Sequence, residues 1–122
     1  MGFLAREASQ RNMSIGLKNA GGIVPKLTSV VQFSVNEQCV QYSECDNFTP
    51  FIEAGKPVFH IEYPDGSPGN IRASAVNTIC SDTGDASGSE GFSTVIKEMD
   101  LDGWVRYCDG STANTTLTIV SD

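Results

Sequence analysis

Four places in this sequence set ionisable or hydrogen-bonding side chains directly after a short apolar run: Lys18-Asn19, Asn36-Glu37-Gln38, Glu62-Tyr63 and Lys97-Glu98. Carboxyl groups with amide and ammonium neighbours are the ingredients of acid–base chemistry at a polar bond. Cleaving a glycosidic bond needs two carboxyls flanking it, in surroundings that set their pKa values apart. Asn and Lys beside such carboxyls bind sugar hydroxyls and shift the carboxylate's proton affinity. Polar groups at strand ends are common to most β/α folds, so the pattern suggests this chemistry without being specific to it. It also requires that the four places converge, which depends on the segments that precede them.

Each place follows a β-type segment, at residues 14–18, 33–36, 57–61 and 92–96, bounded by Gly, Pro or Asn as strand ends usually are. Helix-like stretches alternate with them. Residues 3–11 carry Phe3, Leu4 and Ala8 at helical spacing. Asp46 caps a helix running through Phe48, Thr49, Phe51 and Ile52, which Gly55 stops. Residues 71–80 place Ile71, Ala75 and Ile79 on one side. Strands alternating with helices indicate parallel β/α units, and in a β/α barrel the C-terminal strand ends carry the active site. A complete eight-stranded barrel takes about 250 residues. The four units here amount to half of one, over residues 1–108, followed by a polar, Thr-rich tail at 109–122 expected to be loosely held. Residues 81–91, rich in Gly and Ser, read as a surface loop. A half-barrel has two open strand edges, which invite self-association.

Composition narrows the partners. Eight Lys and Arg against fifteen Asp and Glu give a net charge of -7, unfavourable for nucleic acid. No apolar run is long enough to span a bilayer. Four cysteines and three Asn-x-Ser/Thr sequons, at Asn12, Asn47 and Asn114, point to an oxidising, glycosylating route and an extracellular destination. The N-terminus is no signal peptide, because the apolar stretch breaks at Arg6, and Arg6 also rules out a myristoylation site. A secreted-looking body lacking an export signal suggests a missing N-terminus.

The ten residues Asn36-Glu37-Gln38-Cys39-Val40-Gln41-Tyr42-Ser43-Glu44-Cys45 resemble the N-E-Q-C-x-x-Y-x-E-C signature of glycoside hydrolase family 114. Residues 14–19 resemble that family's S-[VI]-G-L-K-N strand, residues 50–63 its next helix and strand, and residues 91–102 with Trp104 and Cys108 its closing unit. The resemblance implies the C-terminal half, about four β/α units, of a (β/α)8 TIM barrel. It also implies an endo-α-1,4-polygalactosaminidase-like activity, sometimes labelled α-galactosidase, on a polysaccharide, without metal or organic cofactor. Glu37 falls where the family's second catalytic carboxylate falls. The family's other carboxylate, in an acidic D-N-V-D-type motif on an earlier strand, has no counterpart here, so the chain alone is expected to be inactive.

Around Glu37, Lys18, Asn36, Glu62, Tyr63 and Lys97 are the candidate substrate-binding residues. Each has a plainer alternative: a turn-forming Asn36, an exposed Lys18 or Lys97, and a simple strand terminus at Glu62-Tyr63. His60, two residues before Glu62, reads as a satisfied core histidine that points inward with it. The lone Trp104 reads as packing the core. Asp82, Asp85, Ser87 and Glu90 cluster oxygens but miss calcium-loop spacing, and Cys39 and Cys45 lack zinc-ligand spacing. Four cysteines allow three pairings that sequence alone does not separate. Placed on the barrel, Cys39–Cys45 closes the exit loop of the strand bearing Glu37. Cys80–Cys108 then joins neighbouring elements of the outer ring. Two other readings stay open: a non-catalytic carbohydrate-binding remnant, and a small secreted disulfide-stabilised protein that dimerises to complete a barrel.

Overall fold

A computed structural model describes residues 1–116 of the chain. The elements run α1 (Gly2–Gln10), β1 (Gly16–Lys18), α2 (Val24–Leu27), β2 (Phe33–Glu37), α3 (Thr49–Glu53), β3 (Val58–Glu62), α4 (Ala73–Ile79), β4 (Ser93–Ile96), β5 (Trp104–Tyr107) and β6 (Thr112–Asn114). All six strands form one sheet in sequence order. β1 to β4 are parallel, and β5 and β6 continue antiparallel. The architecture is mixed α/β, as expected for part of a β/α barrel.

Side chains alternate across a strand, so the register divides the sheet into two faces. Leu17, Ser34, Val58 and Ile96 lie on one of them and are buried. They pack with Val24, Val31, Phe48, Phe51 and Ile79 from the helices and connections into one core. Phe51, fully buried, contributes about 1.5–3 kcal/mol. α3 ends as its sequence dictates, at Gly55 with φ +71°. Trp104 packs against this core from β5, as expected of it.

The opposite face carries Phe33, Val35, Phe59, Ile61 and Val95 and is open. Phe59 is 44% exposed and meets Phe33 edge-on, ring centroids 6.0 Å apart. Gly16 lies on this face too; a Cβ there would come within 2.2 Å of the Phe33 ring.

Two expectations need correction. The edge beyond β4 is not open, because β5 pairs with it through Val95↔Tyr107 and Ile96↔Arg106, leaving β1 as the unpaired parallel edge among the described residues. The start of the tail is not loose. Asp109 accepts from the Ser111 N–H and hydroxyl, Gly110 turns at φ +89°, and β6 pairs with β5. The rest of the tail, 117–122, lies outside the described residues. Residues 81–91 form the surface loop expected, mostly exposed, with Ala86 and Ser89 buried and the Thr49 hydroxyl donating to the Gly88 carbonyl at 3.0 Å. α1 forms as read, but its Phe3 and Leu4 are 64% and 52% exposed.

Candidate active site

β1, β2 and β3 end side by side, and their exits assemble a cluster around one carboxylate. Glu37 is the last residue of β2, on the open face. Tyr63, just past β3, donates its hydroxyl to Glu37 Oε1 at 2.5 Å. Lys18, ending β1, sets Nζ 2.9 Å from Oε2. Asn19 bonds Glu37 twice: its side-chain amide donates to Oε2 at 3.2 Å, and its oxygen accepts the Glu37 N–H at 2.8 Å. Asn19 reaches back because it turns left-handed at φ 52°, a conformation Asn tolerates better than most residues.

These contacts decide the charge of the site. The Tyr63 hydroxyl above all, then the Lys18 ammonium, hold the Glu37 carboxyl down at about 2, against an ordinary 4.5. Burial and then the hydrogen bond to Glu37 push the Tyr63 phenol up, so it stays a donor. Glu37 is thus an ionised, oriented carboxylate, the form that attacks a carbon or takes a proton from water. A second carboxylate brought close would raise its proton affinity again.

The structure gathers Lys18, Glu37 and Tyr63 and sends the other candidates elsewhere. Asn36 is fully buried on the helix-covered face, and neither atom of its amide has a partner. A strand's period of two puts it opposite Glu37, so it does not reach the cluster. Glu62 is only 3% exposed and faces the same buried side. Its Oε1 accepts the Val40 N–H at 2.7 Å and lies 2.8 Å from His60 Nε2. His60 is the satisfied core histidine expected, its Nδ1 2.9 Å from Thr94 Oγ1, but it points toward the helices. Lys97 is committed to its own turn, donating Nζ to the Asp102 and Trp104 carbonyls at 2.8 and 2.9 Å.

Beside the cluster, a cavity of about 680 Å³ opens between the exit loop of β2 and α4. Its lining includes Gln41, Tyr63, Asp65, Asn70 and Arg72. Ligand pockets commonly run to roughly 300–1,000 Å³. The Cys39–Cys45 disulfide, Cα atoms 4.7 Å apart, closes that exit loop, and Ser43 joins it to Asp85 by a 2.8 Å hydrogen bond. The second disulfide is Cys80–Cys108, Cα atoms 5.5 Å apart, joining the end of α4 to the end of β5. Both pairings are those expected.

The model of Glycoside-hydrolase family GH114 matches residues 1–113. The chain belongs to this family. No curated protein matches. Among solved structures, a crystal structure of Aspergillus fumigatus Ega3 in complex with galactosamine matches with 55% sequence identity and a TM-score of 0.74. The match covers 87% of this chain and 42% of the Ega3 chain, so the chain spans less than half the length of that relative.

Within this GH114 chain, sequence reasoning missed Asn19 as a partner of Glu37, although it directly follows Lys18 at a strand exit. It also missed the lining residues Gln41, Asp65, Asn70 and Arg72, which come from two connections, the exit loop of β2 and the segment between β3 and α4. A second acidic group stands apart: Glu98, Asp100 and Asp102, with ligand atoms within 4.8 Å of one another. Within it, the neighbouring Asp102 pushes the Glu98 carboxyl up, and Asp102 itself is lowered. Cys39, Cys45 and His60 also lie close together, but both sulfurs are in the disulfide.

Proposed function

We propose that Glu37 is one of the two carboxylates of a glycosidase acting on α-1,4-linked galactosamine polymers, with Tyr63, Lys18 and Asn19 fixing its charge and direction. The observation that carries this reading is the Glu37 cluster itself, a single carboxylate held by three side chains, with a fourth bond from its backbone N–H to Asn19, at the strand exits of a GH114 chain. The galactosamine bound to Ega3 supports the sugar class. Four parallel strands in sequence order fit the last four of an eight-stranded barrel.

At these exits Glu37 is the one carboxylate among the described residues on the open face, whereas glycosidic cleavage by this scheme needs two. The chain alone is therefore inactive, and the second acid is supplied by the part of the barrel the Ega3 match leaves uncovered. Glu37, as the ionised member, acts as base or nucleophile while that acid protonates the leaving oxygen. Which stereochemistry results depends on the separation of the two groups. The cavity lined by Tyr63, Asp65 and Arg72 receives sugar units next to the cleavage point.

A carbohydrate-binding role without cleavage is favoured by a separate observation, the presence of that cavity beside a solitary carboxylate. One experiment divides the two readings. The chain is assayed for new reducing ends on an α-1,4-galactosamine polymer, alone and joined to the uncovered N-terminal portion of Ega3. The chain alone shows no turnover, the chimera does, and Glu37→Gln lowers the chimera's rate at least a hundredfold, within the range for loss of acid–base catalysis. Equal turnover with Gln at position 37 would overturn the catalytic assignment.

Two disulfides and exposed asparagines in all three sequons support a secreted protein. Among the described residues, no helix is long and apolar enough to cross a membrane. Self-association would use the open face and the β1 edge.

A further inference from the structure

We infer that Glu62 is a positioning residue that holds Glu37 in place from the opposite side of the sheet; this rests on Glu37 being the carboxylate of the site. The tie is short. Only Gln38 and Cys39 separate Glu37 from Val40, whose N–H donates to Glu62 Oε1 at 2.7 Å. Gln38 between them is left-handed at φ 61°, a conformation a long side chain keeps only when its surroundings impose it.

The constraint comes from three consecutive residues of β3 and its exit. The Ile61 carbonyl accepts the Gln38 N–H at 2.8 Å, Glu62 takes the Val40 N–H, and Tyr63 donates to the Glu37 carboxylate at 2.5 Å. Ile61 and Tyr63 lie toward the open face, and Glu62 lies beneath. The β2 exit is therefore gripped from both faces of the neighbouring strand.

Glu62 is suited to this task, although it also touches the cavity beside the cluster. One of its oxygens serves two donors, Val40 N–H and His60 Nε2, and the residue is 3% exposed. A buried carboxylate is tolerated only when such partners replace water. His60, fully buried, passes the restraint on to Thr94 on β4, 2.9 Å from its Nδ1. With the histidine neutral, Nε2–H donates to Glu62 and Nδ1 accepts the Thr94 hydroxyl, so the chain of donors runs one way. β4, β3 and the β2 exit loop are thereby linked.

Two NMR readouts on the 122-residue chain test this: hydrogen exchange at the Val40 amide and the titration midpoint of the Glu37 carboxyl. Glu62→Ala speeds Val40 exchange at least tenfold and raises the Glu37 midpoint by about one unit, because the carboxylate drifts from Tyr63. Glu62→Gln keeps an acceptor for Val40 and stays within about threefold of native exchange. Thr94→Val, a milder change at the far end, shows both effects at smaller size and serves if Glu62→Ala does not fold. Native exchange and a native Glu37 midpoint in a folded Glu62→Ala, or in Thr94→Val if Ala is not folded, would overturn the proposal. So would a Gln variant as loose as Ala. Neither readout measures turnover, so an inactive Ega3 chimera would sink the glycosidase reading and leave this result intact.

Discussion

Tyr63 donates its hydroxyl to Glu37 Oε1 at 2.5 Å, across the exits of two adjacent parallel strands. Charge-assisted O–H···O⁻ bonds of this length are the strong ones. The phenol's own proton affinity is raised, so over the accessible pH range it does not give the proton up. The pair is fixed donor to acceptor, and the pH behaviour of the site follows from it.

Tyr63→Phe should raise the Glu37 midpoint from about 2 toward 4.5. The folded-state value lies below the ordinary one, so Glu37 stabilises the native chain above pH 4.5. That stability is lost as pH falls from about 4.5 to about 2. In the Phe variant, part of this loss should disappear. Urea midpoints at pH 6 and pH 3 for both proteins measure it, and an identical drop in the two would refute the role given to Tyr63.

Lys18→Ala should raise the same midpoint less. The Lys18 side chain is 61% exposed, so water and salt screen its pairing with Glu37. The difference between Lys18→Ala and the native chain should shrink, without vanishing, by about 1 M salt, where the screening length is about 3 Å, because the direct 2.9 Å contact outlasts the longer-range attraction. A shift unchanged by such salt would mean that Lys18 acts through direct hydrogen bonding alone.

Part of this site was legible because strand exits are marked by a change from apolar to polar residues, which located Lys18, Glu37 and Tyr63. The errors came from side-chain direction. Asn36 precedes Glu37 and Glu62 precedes Tyr63; on a strand, neighbours face opposite sides, so each pair has one member in the site and one in the core. That alternation was available in the sequence. So was the Asp109-Gly110 turn, a common hairpin signal, that sets β6 against β5. The capture of Lys97 by two carbonyls was not legible, since it depends on the path of residues 98–104.

Gly88→Ala should destabilise the chain by about 1–3 kcal/mol, the cost of forcing atoms into a packed site. Gly88 is left-handed at φ 92°, and a Cβ there would meet the Asp46 backbone at 2.6 Å. Gly84→Ala, left-handed at φ 59° but in open space, should cost less. Thermal melts of the two variants compare clash plus strain with strain alone. Equal losses would show that the loop of residues 81–91 does not pack on the exit loop of β2.

The two disulfides should differ in what their removal does. Cys80–Cys108 closes a separation of 28 residues and Cys39–Cys45 one of 6. In the chain-entropy description the longer closure stabilises by about 3–4 kcal/mol and the shorter by about 2. Replacing Cys80 and Cys108 by Ala should therefore lower global stability more, since it frees α4 from β5. The Glu37 midpoint should hardly move, because Tyr63, Lys18 and Asn19 come from other elements. Replacing Cys39 and Cys45 should cost less stability and raise that midpoint, because this bridge closes the loop that begins at Glu37. Denaturant unfolding with carboxyl titration measures both quantities on the same two variants. If the Cys80/Cys108 variant shifted Glu37 and the Cys39/Cys45 variant did not, the exit loop would not be what holds the carboxylate.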